Sequence, residues 1–257
     1  MEPKNLNVNY IPHSNPDNIG WTRLKDCHSD KIIVHFEDIE NALIKYISQS
    51  KFCLGCVAWL TNERILSALS NCSVVSIIVQ KEDFLRPDYI GMKADWHKKQ
   101  DSFKKKIKQM YKALPRGVCQ DDLILEDETE LNSRINEKIN QMYQETKISP
   151  GLISSGTYWE TDPIRTLGEI NEDKIPAFPR MHHKFIIFCN WFYEPYAVWT
   201  GSFNFTYNGT QSLENGVYIT DKYIVKAYWY EWVFNFIRSE VLDWDHEYKN
   251  PFLTIGS

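Results

Sequence analysis

The sequence contains no hydrophobic run that is long enough to cross a lipid bilayer. Its longest apolar run, Phe52–Leu60, is far shorter than the roughly 20 residues that a transmembrane helix needs. The N-terminal residues MEPKNLNVNYIPHSNPDN also lack the basic segment followed by an apolar core that marks a secretory signal peptide. These absences predict a cytoplasmic protein with no stable membrane insertion.

The sequence also lacks a net positive charge and the dense cysteine pattern of a disulfide-stabilised protein. The formal net charge is -5 and the isoelectric point is near 5.8, so no global field attracts polyanions and any contact with nucleic acid must be local. The six cysteines among 257 residues are scattered through apolar runs, which predicts reduced core thiols and no disulfide framework. A hydrophobic content of 43% is ordinary for a globular protein.

The first part of the chain carries the pattern of an α/β domain. Apolar residues at Ile39, Leu43 and Ile47 form a helical stripe that should pack on a sheet. The expected elements are a helix at Glu37–Ser50, a strand at Phe52–Leu60, a helix at Asn62–Ser70 and a strand at Val74–Val79. Strand, helix and strand at this spacing predict a right-handed parallel crossover.

The chain length favours one large domain with an extension and an insertion. Residues 1–30 are rich in Asn, Pro and Asp, which predicts an N-terminal arm, either irregular or with a short edge strand. Residues 31–257 are interpreted as a single domain, interrupted at about 81–178 by an insertion of helices and loops. Within the insertion, residues 147–178 are predicted to be rich in loops.

Three basic residues of the insertion are candidates for substrate binding. Lys104 and Lys105 lie in a predicted long helix, Lys93–Leu114, which is the most basic stretch of the chain. Its lysines either bind a polyanion or form a solvated face that the acidic segment Asp121–Glu130 neutralises. Arg165, in the predicted loop, either contacts a base or a lipid headgroup or packs in the core.

Two short polar motifs lie close together in the last third of the chain. His182-x-Lys184 opens an apolar run, and Gly201-Ser202-Phe203-Asn204 closes the next one. Glu214-Asn215 then opens a third apolar run. A histidine two residues before a lysine is a weak signal alone, but the ordered conjunction of three polar motifs with three apolar runs is much more specific.

Strand geometry predicts that these motifs form one site. Alternate side chains of a strand share a face, so His182 and Lys184 point to one side and His183 to the other. If the strands Met181–Phe188 and Tyr196–Thr200 are neighbours, an imidazole, an ammonium, a hydroxyl and an amide converge on one phosphate-sized volume. No acidic pair or Cys/His cage accompanies them, so we expect phosphoryl chemistry without a metal or another cofactor.

These motifs resemble the HKD region of the phospholipase D superfamily, in particular bacterial single-motif endonucleases of the Nuc type. The family pattern, H-x-K-x4-D followed by G-S-x-N, is matched here by His182, Lys184, Gly201, Ser202 and Asn204. Glu214 stands where relatives often carry an acidic residue. Cys189 stands at the Asp position, and the resemblance implies that this position supports the fold behind the site. The departure therefore bears on local stability more than on chemistry.

The resemblance also implies a fold and a mechanism. The fold is an α/β sandwich with a mixed, largely parallel β-sheet flanked by helices and one HKD motif per chain. Because one chain supplies a single HxK, the two subunits of a homodimer would each present His182 to the same phosphate. One imidazole attacks to give phosphohistidine, and the other protonates the leaving oxygen. Lys184, Asn204 and Ser202 bind the nonbridging oxygens, and Glu214 orients an imidazole.

The expected function is therefore a metal-independent phosphodiesterase that cleaves DNA or RNA. Two alternatives stay open: a phospholipase D or cardiolipin hydrolase that acts on lipid phosphodiesters, and a non-catalytic module that keeps the fold and binds without turnover. Cys189 is the one sequence feature that favours the last, whereas intact His182, Lys184 and Asn204 oppose it. His183 is the alternative nucleophile if the strand register is shifted by one residue.

Overall fold

The computed structural model describes residues 26–82, 85, 95–119, 159–171, 179–191 and 194–241. The elements are β1 (Asp26–His28), β2 (Ile32–His35), α1 (Ile39–Gln49), β3 (Phe52–Val57), α2 (Glu63–Leu69), β4 (Val74–Glu82), α3 (Asp95–Lys112), β5 (Gly117–Cys119), β6 (Trp159–Thr161), β7 (Ile164–Asn171), β8 (Lys184–Cys189), β9 (Pro195–Gly201), α4 (Tyr207–Gln211), β10 (Gly216–Ile219), α5 (Lys222–Arg238) and β11 (Glu240–Val241). Among these described elements, helices and strands alternate from β2 to β5, five consecutive strands follow from β5 to β9, and a long helix precedes the last short strand.

A nine-stranded mixed sheet forms the centre of the fold, in the order β1-β2-β10-β9-β8-β3-β4-β7-β11. The prediction of a mixed sheet is confirmed, but the prediction that it is largely parallel is wrong. The pairings β3–β4 and β4–β7 are parallel, and the other six pairings of the sheet are antiparallel. Parallel neighbours need a crossover of a dozen or more residues, and the link between β8 and β9 is too short for one.

The parallel crossover β3–α2–β4 is confirmed. Asn62 caps α2, because its side-chain oxygen accepts hydrogen bonds from the backbone N–H groups of Arg64 and Ile65, and such a cap stabilises a helix by about 1 kcal/mol. The predicted stripe of α1 is also confirmed, since Ile39, Leu43 and Ile47 are all buried.

Helices cover both faces of the sheet and make two apolar cores. α1, α2 and α3 pack on one face; their buried residues there are Ile39, Leu43, Ile47, Ile65, Leu66, Leu69, Ile107 and Tyr111. α5 packs on the other face with Val225, Trp229, Trp232, Val233 and Phe236. Side chains of each central strand alternate between these cores. In the described ranges, no helix has the length and apolarity that a membrane span requires.

The edge-strand alternative for the N-terminal arm is confirmed in part, and part of the predicted loop region differs from the structure. Residues 26–28 of the predicted arm form the edge strand β1, and residues 1–25 lie outside the described residues. Residues 164–171, predicted as loop, form β7, the last of the three parallel strands β3, β4 and β7. The acidic segment 121–130 and the remaining predicted loop residues 147–158 and 172–178 also lie outside the described residues.

The cysteines that the structure describes with their side chains are free thiols, as predicted. Cys53, Cys56, Cys72 and Cys189 are buried, and Cys27 is exposed. The Sγ atoms of Cys53 and Cys72 lie 3.7 Å apart, well beyond the length of a disulfide bond. Burial raises the pKa of the Cys56 and Cys189 thiols, so both are unreactive core residues.

Candidate active site

Four strand ends meet at one edge of the sheet, and the predicted site residues lie there. β8 runs antiparallel to β3, with Lys184 opposite Val57, so the start of β8 lies at the end of β3. β9 is antiparallel to β8, and its last residue, Gly201, lies opposite Gly216, the first residue of β10. The alternation of direction across these strands therefore gathers both motifs at one edge, which we call the catalytic edge because the sequence predicts the active site there.

His182 and Lys184 are in direct contact at the catalytic edge. The Lys184 ammonium lies 3.2 Å from Nδ1 and 3.5 Å from Nε2 of the His182 ring, and it donates a hydrogen bond of 3.0 Å to the His182 carbonyl. His183 faces the other side of the sheet, where its Nε2 lies 3.0 Å from a carboxylate oxygen of Glu231 in α5. The predicted parity of the three residues is therefore confirmed.

The electrostatic surroundings favour a neutral imidazole at His182. Partial burial lowers the pKa of His182, and the positive charges of Lys184 and Arg180 lower it further. Burial also lowers the pKa of Lys184, while the negative charge of Glu214 opposes that shift. A neutral imidazole has a free nitrogen lone pair, which is the form that a nucleophile or a general base requires.

The GSxN motif is held against the start of β10. Gly201 has a φ of 146°, in the region that favours glycine, and a Cβ at this position would clash with the Asn215 carbonyl. The Ser202 hydroxyl accepts a hydrogen bond of 3.0 Å from the Asn215 N–H, and the Ser202 N–H donates to the Asn215 carbonyl. This double link places Glu214 beside the motif and leaves the Ser202 hydroxyl hydrogen available to donate.

Asn204 has a polar atom without a hydrogen-bond partner. Its Oδ1 is buried and accepts no hydrogen bond from the described residues, whereas its backbone carbonyl accepts from the Thr206 N–H at 2.7 Å. The next residue, Phe205, is buried and forms a bridge with Leu60 beyond the end of β3. Asn204 is thus anchored through its backbone, and its side-chain oxygen is one of five buried polar side-chain atoms without a partner among the described residues.

The structure adds Trp59, a residue that the sequence reasoning missed. Its ring lies 5.1 Å from the His182 ring at an interplanar angle of 84°, and the Lys184 ammonium lies 5.7 Å from the Trp59 ring centre. The indole N–H donates a hydrogen bond of 2.6 Å to Glu82 at the end of β4. The sequence feature that could have indicated Trp59 is its position just after a buried strand, because the end of that strand lies at the catalytic edge.

Two of the predicted substrate-binding residues lie on a helix that packs near the catalytic edge. The Tyr111 hydroxyl of α3 donates a hydrogen bond of 2.6 Å to the Leu60 carbonyl, and Lys106 forms an ion pair of 2.6 Å with Glu63 at the start of α2. Lys105 is exposed and Lys104 is partly exposed on the same helix. Both lie about two helical turns from the contact with Leu60.

Arg165 lies away from the other predicted site residues. It belongs to β7, and its guanidinium donates hydrogen bonds of 2.6 Å to the hydroxyl and carbonyl of Ser239 and lies 4.9 Å from the Phe236 ring. These contacts are on the α5 side of the sheet, opposite to the face of Lys184. The contacts of Arg165 therefore agree with the alternative in which this residue packs in the core. A role of Arg165 in substrate binding stays a prediction.

No described group of three or more His, Cys, Asp or Glu side chains has an arrangement that could hold a metal ion. The groups that the catalytic edge does offer are an imidazole, an ammonium, a hydroxyl, an amide and a carboxylate. Such a set can bind the oxygens of a phosphate and supply a nitrogen nucleophile.

The solved structures similar to this chain share little sequence with it. Nuc from Salmonella typhimurium, described as a phospholipase D family member, is 15% identical with a TM-score of 0.42, covering 81% of this chain and 95% of that chain. NucT from Helicobacter pylori is 13% identical with a TM-score of 0.42, covering 82% and 98%. Phosphatidylserine synthase from Haemophilus influenzae Rd KW20 is 15% identical with a TM-score of 0.36, covering 80% and 38%. At these scores the likenesses establish neither the fold nor the activity of this chain.

The sequence comparisons give a firmer relationship. No family model matches the chain. The uncharacterized protein L381 of Acanthamoeba polyphaga mimivirus is 30% identical over 258 residues, covering 96% of this chain and 79% of that protein. Identity at this level over nearly the whole chain indicates common descent, and the chain therefore belongs to the same family as mimivirus protein L381.

Proposed function

We propose that this protein is a phosphodiesterase of the phospholipase D type that cleaves nucleic acid. The observation that carries the proposal is the contact between the His182 ring and the Lys184 ammonium at the catalytic edge. The GSxN motif and Glu214 come to the same edge through the pairing of β9 with β8 and β10. A neutral imidazole beside a cation and several donors suits attack on a phosphodiester, whose charge the cation offsets.

The reaction proceeds in two steps in this proposal. A neutral His182 nitrogen attacks phosphorus, an N–P bond forms, and the P–O bond to the leaving group breaks as a second histidine, protonated as an imidazolium, donates a proton to that oxygen and becomes neutral. The second imidazole then removes a proton from water, which attacks phosphorus and releases His182. Lys184, Asn204 and Ser202 bind the nonbridging oxygens in both steps, and Glu214 orients an imidazole.

The second imidazole comes from a second subunit in this proposal. The chain has one HxK motif, and an isologous dimer brings two copies of any residue near its twofold axis together. We expect a dimer in solution by light scattering. Mixing wild-type subunits with a tenfold excess of His182→Ala subunits should lower the activity per wild-type subunit to about one tenth, because mixed dimers hold one imidazole. Full activity in a strict monomer would contradict the dimeric site.

The basic helix α3 supports nucleic acid as the substrate. Tyr111 and Lys106 of this helix contact Leu60 and Glu63 beyond the end of β3, and in this proposal the lysines of α3 bind the phosphates that flank the scissile bond. Lysines along such a path bind a polyanion through its phosphates and are indifferent to base sequence. This arrangement also fits the net charge of -5, since the attraction is local.

Replacing Lys104 and Lys105 together by alanine is expected to weaken DNA and RNA binding uniformly across sequences. The slope of log Kobs against log salt concentration should become shallower by about 1 to 2, because fewer counterions are released. The double variant Lys51→Ala/Lys222→Ala is the charge-matched control, since both lysines are exposed and lie at the edge of the sheet opposite to the catalytic edge. An equal change of slope in both double variants would mean that α3 is not a binding surface.

The substrate class is tested by incubating the protein with plasmid DNA, RNA and phospholipid vesicles in the presence of EDTA. The proposal expects cleaved nucleic acid and no released headgroup. A released headgroup with intact nucleic acid would identify a lipid phosphodiesterase at the same site. Turnover of neither substrate, with nucleic acid still bound, would identify a binding module.

A further inference from the structure

Trp59 touches both members of the HxK pair. Its ring makes a T-shaped contact with the His182 ring at 5.1 Å, and the Lys184 ammonium lies 5.7 Å from its centre. T-shaped aromatic contacts and cation–π contacts each contribute attraction beyond simple burial. One side chain therefore restricts the orientation of the imidazole and the position of the ammonium together.

The indole is itself held in place from a neighbouring strand. Glu82, the last residue of β4, accepts the indole N–H at 2.6 Å. β3 and β4 are parallel and paired up to Val57 and Val79, so their ends emerge side by side at the catalytic edge. A hydrogen bond to a carboxylate is stronger than one to a neutral acceptor, which fixes the ring plane of Trp59.

We propose that Trp59, fixed by Glu82, is a positioning residue that holds His182 and Lys184 in the arrangement for attack on phosphorus and shields one side of the imidazole from water. The inference deepens the proposed function and rests on it for the chemical step. The positioning itself is a property of the free protein. Preorganised groups lose little free energy on reaching the transition state, so their loss lowers kcat more than it raises KM.

The shielding gives a measurable electrostatic signature. Burial is the largest cause of the lowered pKa of His182, and Trp59 is an aromatic ring in contact with it. Removing the indole exposes the imidazole to water, so the pKa of His182 should rise towards its ordinary value. A side chain that only filled space elsewhere in the core would leave this titration unchanged.

The test follows the His182 resonances by NMR against pH in protein labelled at histidine, with His182→Ala used for the assignment. In Trp59→Ala we expect the His182 titration to move to higher pH, and in Trp59→Phe, which retains a ring, to move less. Trp191→Ala is the matched control, because Trp191 is exposed beyond the far end of β8. Thermal unfolding checks that each variant is folded.

Kinetics provide the second readout. Trp59→Ala should lower kcat about 10- to 100-fold with little change in KM, Glu82→Ala should lower it less, and Glu82→Gln, which keeps an acceptor, should restore most of the loss. An unchanged His182 titration in folded Trp59→Ala would overturn the inference. If the His182 titration shifted in Trp59→Ala but the wild-type protein cleaved no phosphodiester, the contact of Trp59 with His182 would be supported and the proposed function would be rejected.

Discussion

Replacing His182 by alanine is expected to lower kcat/KM for nucleic acid cleavage by at least about 10⁴-fold. The variant loses the nitrogen that would bond to phosphorus in one subunit and the acid that would protonate the leaving oxygen in the other. Because His182 is exposed at the catalytic edge and lies outside both cores, the substitution should leave the free energy of unfolding nearly unchanged. Cleavage rates and urea unfolding of the same preparation check both parts.

His183→Ala is the matched control for this prediction. It removes the neighbouring imidazole, which lies on the other face of the sheet and contacts Glu231. We expect cleavage within about threefold of wild type, as for a surface substitution away from the chemistry. If His183→Ala were inactive and His182→Ala active, the nucleophile would be the other histidine and the assigned strand face would be wrong. If both variants cleaved nucleic acid as fast as the wild type, the phosphohistidine mechanism would be wrong.

The contact between His182 and Lys184 could be predicted from sequence because it depends on a local rule. Residues two apart in an extended strand share a face whatever the rest of the fold does, and the approach of Gly201 followed from two apolar runs with a short link between them. Neither Trp59 nor Glu82 could be found in this way. Trp59 lies more than 100 residues before His182 in the sequence, and Glu82 lies 100 residues before it. Only the packing of β3 and β4 beside β8 brings the two residues to the site.

The same distinction applies to the fold. The crossover β3–α2–β4 could be predicted because two buried apolar runs with a short helix between them are local patterns. The direction of the other strands could not, since β3 pairs with β8 across more than 100 residues of intervening chain. In the sequence, Pro163 and Gly168 favour a loop over residues 164–171, so local patterns do not predict β7. In the structure Pro163 precedes the strand, and Gly168 lies within it, where a Cβ would crowd the Gln80 side chain.

Cys189 lies at the opposite end of β8 from Lys184, roughly 17 Å away along the strand. It is fully buried, and its backbone carbonyl accepts hydrogen bonds from the Lys51 N–H and the Ser50 hydroxyl. The pKa of its thiol is raised by burial. The departure from the H-x-K-x4-D pattern therefore falls in an apolar core behind the sheet, where the surroundings suit a thiol and not a carboxylate.

Restoring the pattern by Cys189→Asp is accordingly expected to lower the free energy of unfolding at pH 7 by about 3 to 5 kcal/mol. Burial would raise the pKa of the new carboxyl in the folded state above its unfolded value of about 3.9. The loss of stability should therefore be smallest at low pH and grow as the pH rises above that unfolded value. Urea unfolding at pH 4.5 and pH 7 measures both the size and the direction of the effect.

Cys189→Ser is the control for this substitution, because it adds a polar atom of similar size without a charge. It should cost about 1 to 3 kcal/mol, the range for a buried polar group that lacks a partner, with no dependence on pH between these two values. If Cys189→Asp were as stable as wild type at pH 7, the core behind β8 would hold a partner for a carboxylate. The cysteine would then be an interchangeable occupant of the pattern's aspartate position, whereas the expected loss makes it a residue to which the packing around β8 has adapted.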